Sequence, residues 1–332
     1  MSPKKLDLSV RYLGLSLENP LIVGSCGLTG SIEGIEECAR AGAGAVVLKS
    51  LFEEQISHEV ARLSADSAAS AWHPEAAEYI EAYGWEDAVG RYLDLIRTAK
   101  RSVGIPIIAS VHCVSPGSWL EFAKRVADEG ADALELNAFV LPSDSRRSGP
   151  ENEQVYFDLV REVRARVALP IALKIGPFFS SLSQMIERLS RSGVAGLVLF
   201  NRFQQPDIDI EKMQLSSAPP FSSPSELALP LRWIALMANV APCDLAATTG
   251  IHDGAGVIKQ LLAGANAVQL ASALYRHGPE HLGTILGDVR AWMERHEFVS
   301  IDAFRGRLAH DPAHNAAAYE RVQFMKLSTS IE

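Results

Sequence analysis

Polar side chains able to bind a ligand or carry a proton recur at one kind of place in this chain, the end of a short apolar run. Ser25 follows PLIVG, Lys49 and Ser50 follow AVVL, His112 follows PIIASV, and Asn137 closes ALELN. Lys174 sits near the end of PIALKI, Asn201 closes GLVLFN, Thr248 and Thr249 close CDLAATT, and Ser272 follows AVQLA. A lone lysine at a strand exit is commonly just a solvated side chain. Two lysines, two asparagines, a histidine and several hydroxyls converging on one mouth form a ring that can hold a flat polar ligand by its edges, with apolar walls against its faces. Two further segments suit an anion: Thr249-Gly250 in ATTGIHDGAG, and Ala271-Ser272 in LASALYRHGPE. Their small residues let backbone N–H groups approach a phosphate closely, with Gly250 expected where the approach is tightest; ordinary turn chemistry is the structural alternative.

These residues need a scaffold that delivers strand ends to one face. The runs at 20–25, 45–50, 106–111, 133–137, 170–175, 196–201, 243–249 and 267–272 are apolar on both faces, as strands of a buried parallel sheet are. Segments of helical period lie between most of them: Val155, Leu159, Val160, Val163 and Val167 fall on one face of 152–168. In 279–295, Leu282, Ile285, Leu286, Val289 and Met293 do the same. The strand entrances alternate. Pro20, Pro106, Pro170 and Pro242 precede or open the odd strands, whereas the even strands follow a helix ended by Gly42, Gly130, Gly193 or Gly264. Eight regular βα units predict a (β/α)8 barrel, with an open doubly wound sheet as the alternative. Long connections at 50–85, 138–151 and 201–225 all leave the C-terminal ends of strands, where barrel sites sit; in the third, PDIDIEKMQL alternates like a small antiparallel excursion.

The bulk properties exclude several classes. The chain has 332 residues, 48% of them hydrophobic, which fits one barrel over 1–310 followed by a tail at 311–332. A net charge of −9 argues against nucleic acid. No apolar run reaches the roughly 18 residues of a membrane span, and MSPKKLDLSVRYLG lacks a signal peptide's apolar centre and reads as an initial strand. Cys26, Cys38, Cys113 and Cys243 have neither metal-ligand nor redox spacing. A reduced, cytoplasmic, metal-free protein acting on a small molecule is the expectation.

From about residue 7 to 308 the chain resembles the dihydroorotate dehydrogenases, through NPLIVGSCGLTG, GAGAVVLKS, ELN, LKIGPFF, LVLFN, TTGIHDGAGVIKQLLAGANAVQLASAL and SIDAFRGRL. The resemblance implies FMN as cofactor, with hydride passing from dihydroorotate C6 to flavin N5 while a cysteine or serine removes the C5 proton. By the same resemblance Ser25 and Gly27 lie against the flavin, Lys49 and Ser50 hold its ring edge, and Lys174 faces N1/O2. Asn137 and Asn201 touch flavin and substrate, and Thr249, Gly250, Ala271 and Ser272 form the phosphate loops. The soluble class 1 branch is implied, with a homodimer and a separate electron-transfer partner.

The departures concern the substrate. Where the soluble family reads Asn-x-Ser-Cys-Pro-Asn, this chain has Asn137-Ala138-Phe139-Val140-Leu141-Pro142, and Val140 cannot accept a proton. The clamp Asn-x-x-Gly-Leu-Pro-Asn after the second strand is replaced by Trp72-His73-Pro74-Glu75. Arg202 follows Asn201 where the family has serine, and it suits either a substrate carboxylate or a structural ion pair. His112 and His73 are the chemically apt substitute bases beside Lys174, with Cys113, Ser143 and Tyr156 as further candidates. Three functions stay open: a dihydroorotate-oxidising enzyme, an FMN oxidoreductase for another cyclic amide or an activated C=C bond, and a flavin-binding interaction protein without turnover.

Overall fold

The computed structural model describes residues 6–52, 74–112, 119–203, 206–217, 220–311 and 319. Eight parallel strands close on themselves: β3 (Leu21–Val23), β4 (Ala45–Val47), β6 (Ile107–His112), β7 (Ala133–Asn137), β8 (Ile171–Ile175), β9 (Gly196–Leu199), β12 (Asp244–Thr248) and β13 (Ala267–Leu270). Closure is decided by two pairings, Val268↔Leu21 between β13 and β3 and Val46↔Ile107 between β4 and β6, which an open sheet does not make. A short β5 (Leu51–Phe52) pairs with the end of β6. Seven of the eight strands lie inside the runs read from the sequence, and β6 extends one residue past its run, to His112.

The alternation at the strand entrances has a backbone cause. Gly42, Gly130, Gly193 and Gly264 have φ of 101°, 89°, 97° and 115°, the left-handed conformation that stops a helix without a Cβ penalty. The prolines lack a donor but their carbonyls serve the ladder: Pro20 accepts from Val268, Pro106 from Val46 and Pro170 from Leu134, at 2.9, 3.1 and 3.0 Å. An outer layer of helices covers the sheet: α1 (Ile32–Arg40), α2 (Pro74–Ser102), α3 (Trp119–Asp128), α4 (Gly149–Arg164), α5 (Leu182–Ser190), α6 (Ala228–Met237), α7 (Gly254–Ala263), α8 (Ser272–His277) and α9 (His281–Arg295). On α4 a Ser148–Glu151 capping box starts the helix, and Tyr156, Leu159, Val160 and Val163 form its buried stripe. On α9 the stripe is Leu282, Ile285, Leu286, Val289 and Met293, as its period requires.

The two ends of the barrel differ. At the N-terminal end a hairpin, β1 (Val10–Tyr12) paired with β2 (Leu15–Leu17), stoppers the interior: a Cβ on Gly196 would lie 2.7 Å from the Leu13 side chain and 3.5 Å from the Tyr12 ring. The C-terminal end carries the long connections, among them the antiparallel ribbon β10 (Pro206–Asp209) and β11 (Gln214–Ser217). Among the described residues no helix is long and apolar enough to cross a membrane.

Candidate active site

Register sets which strand residues face one another. Ser110 pairs with Glu135, His112 with Asn137, and Asn137 with Lys174, so these five side chains point to the same face of the sheet. Glu135 on this face accepts a hydrogen bond from Gln269 on β13, a strand not adjacent to β7 in the sheet, which identifies that face as the barrel interior. Above it lies a cavity of about 450 Å³, within the size range of small-molecule sites. Of the residues read from the sequence, it is lined by Ser25, Gly27, Lys49, Ser50, Asn137, Lys174, Asn201, Arg202, Thr248, Thr249, Gly250, Ala271 and Ser272.

On one side of the cavity a chain of hydroxyls fixes the floor: Ser25 Oγ lies 3.0 Å from Ser50 Oγ, which lies 2.7 Å from Ser110 Oγ. Ser50 N–H also donates to Ser25 Oγ at 2.9 Å, so both serines are held before any ligand arrives. Lys174 is largely buried, and its Nζ donates to Gln269 Oε1 at 3.1 Å. Asn201 Nδ2 ties two strand exits together, donating to Lys174 O at 3.3 Å. Asn137 Oδ1 is buried and has no hydrogen-bond partner. A buried amide oxygen in that condition calls for a donor, and it belongs to a cavity-lining side chain.

The other side is built by the loops after β12 and β13. Thr249 and Gly250 both take positive φ, 79° and 76°, and Thr249 Oγ1 donates to Phe200 O at 3.3 Å. Ser272 Oγ accepts from Ser222 N–H at 3.0 Å. Arg276 donates to Ser222 O and His252 Nε2 lies 3.1 Å from Ser222 Oγ, which brings cationic and imidazole groups to this end. Burial, with Arg276 nearby, holds the His252 imidazole below its usual pKa, so its neutral form is favoured.

Gly250 lines the cavity and carries a packing role besides. A Cβ there would lie 2.2 Å from Leu227 N and 2.6 Å from Glu226 C, so the glycine serves packing against the turn Pro224–Leu227 as well as the cavity. Gly250→Ala is therefore expected to destabilise the apoprotein by on the order of 3 kcal/mol through strained φ and backbone overlap, a fall in Tm of roughly 4 °C for a chain of 332 residues. An unchanged apoprotein melting curve together with lost ligand binding would instead make the position purely ligand-facing.

The same turn explains Arg202. Its Nε donates to Glu226 Oε2 at 2.9 Å and its Nη1 to Pro220 O at 2.9 Å, so of the two roles read from the sequence the structure displays the ion pair. Burial pushes Glu226 up, but the Ser223 N–H and Arg202 outweigh it and hold the carboxyl below its ordinary pKa.

The proposed bases separate. His112 ends β6 half-buried beside Asn137 in the ladder, but outside the set that lines the cavity. Tyr156 is buried, its hydroxyl accepts from Val140 N–H at 3.0 Å, and burial raises its pKa, which makes it a clamp on the loop after β7. Ser143 is exposed. His73 and Cys113 lie outside the described residues. Burial pushes Cys38 and Cys243 up to about 12 and also raises Cys26, so none of these three is an activated thiol. Among the described residues no group of His, Cys, Asp or Glu could hold a metal ion.

Several residues of the site escaped the reading of strand ends. Among them, Glu135 and Gln269 lie inside their strands, and Cys26, Ser222 and Tyr275 line the cavity from outside the strands. Tyr275 OH accepts from Gly27 N–H at 2.6 Å while its ring stacks on Phe221 at 5.2 Å. The polar letters inside ALELN and AVQLA were the available signal for the first two, since a strand buried on both faces has no structural need of them.

Fold and site together define a (β/α)8 barrel with a preformed polar cavity at its C-terminal mouth. The chain belongs to the dihydroorotate dehydrogenase family, whose model matches residues 7–293. That membership makes it a flavin-family oxidoreductase acting on CH–CH bonds. It is 27% identical to the catalytic subunit of dihydroorotate dehydrogenase B (NAD(+)) from Thermoplasma acidophilum, over 90% of this chain and 98% of that one. It is 25% identical to the chloroplastic dihydropyrimidine dehydrogenase (NADP(+)) of Arabidopsis thaliana, over 90% of this chain and 76% of the relative. The dihydroorotate dehydrogenase of Eimeria tenella, solved with ferulenol, shares the fold with a TM-score of 0.66 at 14% identity, covering 92% of this chain and 90% of that one.

Proposed function

We propose that the cavity binds FMN and that the chain is an FMN-dependent oxidoreductase acting on a cyclic amide or an activated C=C compound other than dihydroorotate. The observation that carries the cofactor is the pairing, in one cavity, of the buried, unpartnered Asn137 Oδ1 with the two small-residue loops at Thr249-Gly250 and Ala271-Ser272. The first suits a ring N–H, and the second suits a phosphate held by backbone N–H groups. FMN, when bound, supplies the hydride acceptor or donor.

The chain's own residues do the rest. Ser25 and Ser50, fixed by their mutual hydrogen bond, meet the ring edge together with Lys49. Lys174 brings a charged donor to the floor of the site, where it stabilises negative charge that develops on reduction. Asn137 and Asn201 orient the substrate and the ring. No residue of the described loop after β7 is placed to take a proton as the family's cysteine does, because Val140 holds that position and its N–H is tied to Tyr156. The relatives described as catalytic subunits support a separate electron-transfer partner.

The test is a substrate panel mixed anaerobically with the FMN-loaded protein, following loss of the oxidised flavin band. Bleaching or, from the reduced side, reoxidation by a cyclic amide or an activated alkene supports the reading. Failure of every such compound, with FMN bound, would make the chain a flavin-binding protein without turnover on these classes.

A further inference from the structure

At the floor of the cavity Lys174 joins an interior network whose other members, Glu135 and Gln269, the reading above does not use. Glu135 on β7 is 1% exposed, a carboxylate inside the barrel. Its Oε2 accepts from Gln269 Nε2 on β13 at 2.5 Å. Gln269 Oε1 in turn accepts from Lys174 Nζ on β8 at 3.1 Å. Glu135 Oε1 has no hydrogen-bond partner and lies 3.7 Å from the same Nζ. The amide orientation of Gln269 follows from its neighbours: a carboxylate needs the NH₂ and an ammonium needs the C=O, so only one arrangement satisfies both.

We infer that Glu135, acting through Gln269, is the positioning residue for Lys174 and sets how strongly the site prefers a reduced over an oxidised ligand. This rests on the FMN reading and deepens it. An ammonium on a four-carbon stem has many rotamers and no fixed direction. Here one acceptor on β13, Gln269 Oε1, and the Glu135 carboxylate 3.7 Å away on β7 hold its Nζ toward the floor of the cavity. The same carboxylate places a negative charge on the interior side of the lysine. It therefore opposes the negative charge that reduction adds above, and Lys174 acts as half of a neutral pair. A carboxylate that merely filled space would have no such electrostatic consequence.

The experiment measures the affinities of the apoprotein for oxidised and for reduced FMN, and takes their ratio, in wild type, Glu135→Gln and Glu135→Asp. Glu135→Gln removes the charge at nearly constant volume and is expected to raise the reduced-to-oxidised affinity ratio about tenfold, the scale of one unit charge acting across a protein interior at an effective dielectric near 20. Glu135→Asp keeps the charge and is expected to stay within about threefold of wild type. A second readout needs no flavin. In the apoprotein, Glu135→Gln is expected to lower the denaturant midpoint in the wild-type background and to raise it in a Lys174→Met background, because the two charges compensate each other and either one alone is left buried and unpaired. If Glu135→Gln fails to fold, the charge-neutral double variant is compared with Lys174→Met, and the same tenfold rise is expected. An unchanged ratio in variants that bind one FMN per chain, or additive effects in the cycle, would overturn the inference alone. A wild-type protein that takes up no FMN would overturn the cofactor reading and this inference with it.

Discussion

Replacing Lys174 with methionine is expected to slow flavin reduction by a good substrate by about 10²–10³-fold, the loss typical when one preorganised donor is removed from a developing charge. Methionine preserves most of the stem's packing, so the effect isolates the ammonium. The structure adds a cost that the position of the lysine near a strand exit does not suggest. Its side chain is only 12% exposed and its Nζ compensates Glu135, so the variant leaves a buried carboxylate unpaired. Breaking a buried pair from one side typically costs roughly 3–5 kcal/mol. The variant is thus expected to melt earlier as well as to react more slowly, and Lys174→Met with Glu135→Gln should recover stability without recovering the rate. Rapid-mixing reduction alongside thermal melts separates the two. A wild-type reduction rate in either variant would remove Lys174 from the chemistry.

Dihydroorotate should reduce this protein's flavin far more slowly than a working enzyme of the family, below the 1–10³ s⁻¹ on the order of which ordinary turnover falls. Its oxidation breaks a C–H bond beside a carbonyl, and a positioned base contributes typically about 10²–10⁴-fold to such a step. The loop after β7 offers none: Val140 is apolar, its N–H is held by Tyr156, and the neighbouring Phe139 ring stacks on Phe203 at 4.4 Å and meets Phe178 edge-on at 6.3 Å. Phe139, at the place where the family motif has serine, is thus part of an aromatic cluster and brings no hydroxyl to this loop. For the same reason Val140→Cys should restore little, since a thiol alone leaves the aromatic cluster in place. Stopped-flow bleaching by dihydroorotate at rates normal for an enzyme would contradict this and show that a substitute base exists, which His112→Ala and His73→Ala would then identify.

The barrel was legible because its signals are local. Gly42, Gly130, Gly193 and Gly264 each report a left-handed φ that no neighbour has to supply, and the apolar runs report burial on both faces. The mouth was legible for a related reason, since polar residues at the end of an apolar run have few positions open to them in a closed barrel. What stayed hidden is tertiary. Glu226 is 24 residues from Arg202 in sequence, and only the turn at Pro224–Leu227 brings them together. Gly250 looked like a phosphate glycine, but the backbone atoms that exclude its Cβ come from that same distant turn. Glu135 and Gln269 are 134 residues apart, and their hydrogen bond depends on barrel closure placing β7 and β13 around one interior.

The central claim, that the cavity at the barrel mouth is an FMN site with its phosphate end at Thr249-Gly250 and Ala271-Ser272, is tested most directly by titrating the apoprotein with FMN and, separately, with riboflavin. One FMN per chain is expected, bound on the order of 100-fold tighter than riboflavin, since two charge-assisted hydrogen bonds of about 1.5 kcal/mol each supply that difference. Equal affinity for the two flavins, or no binding of either, would contradict it.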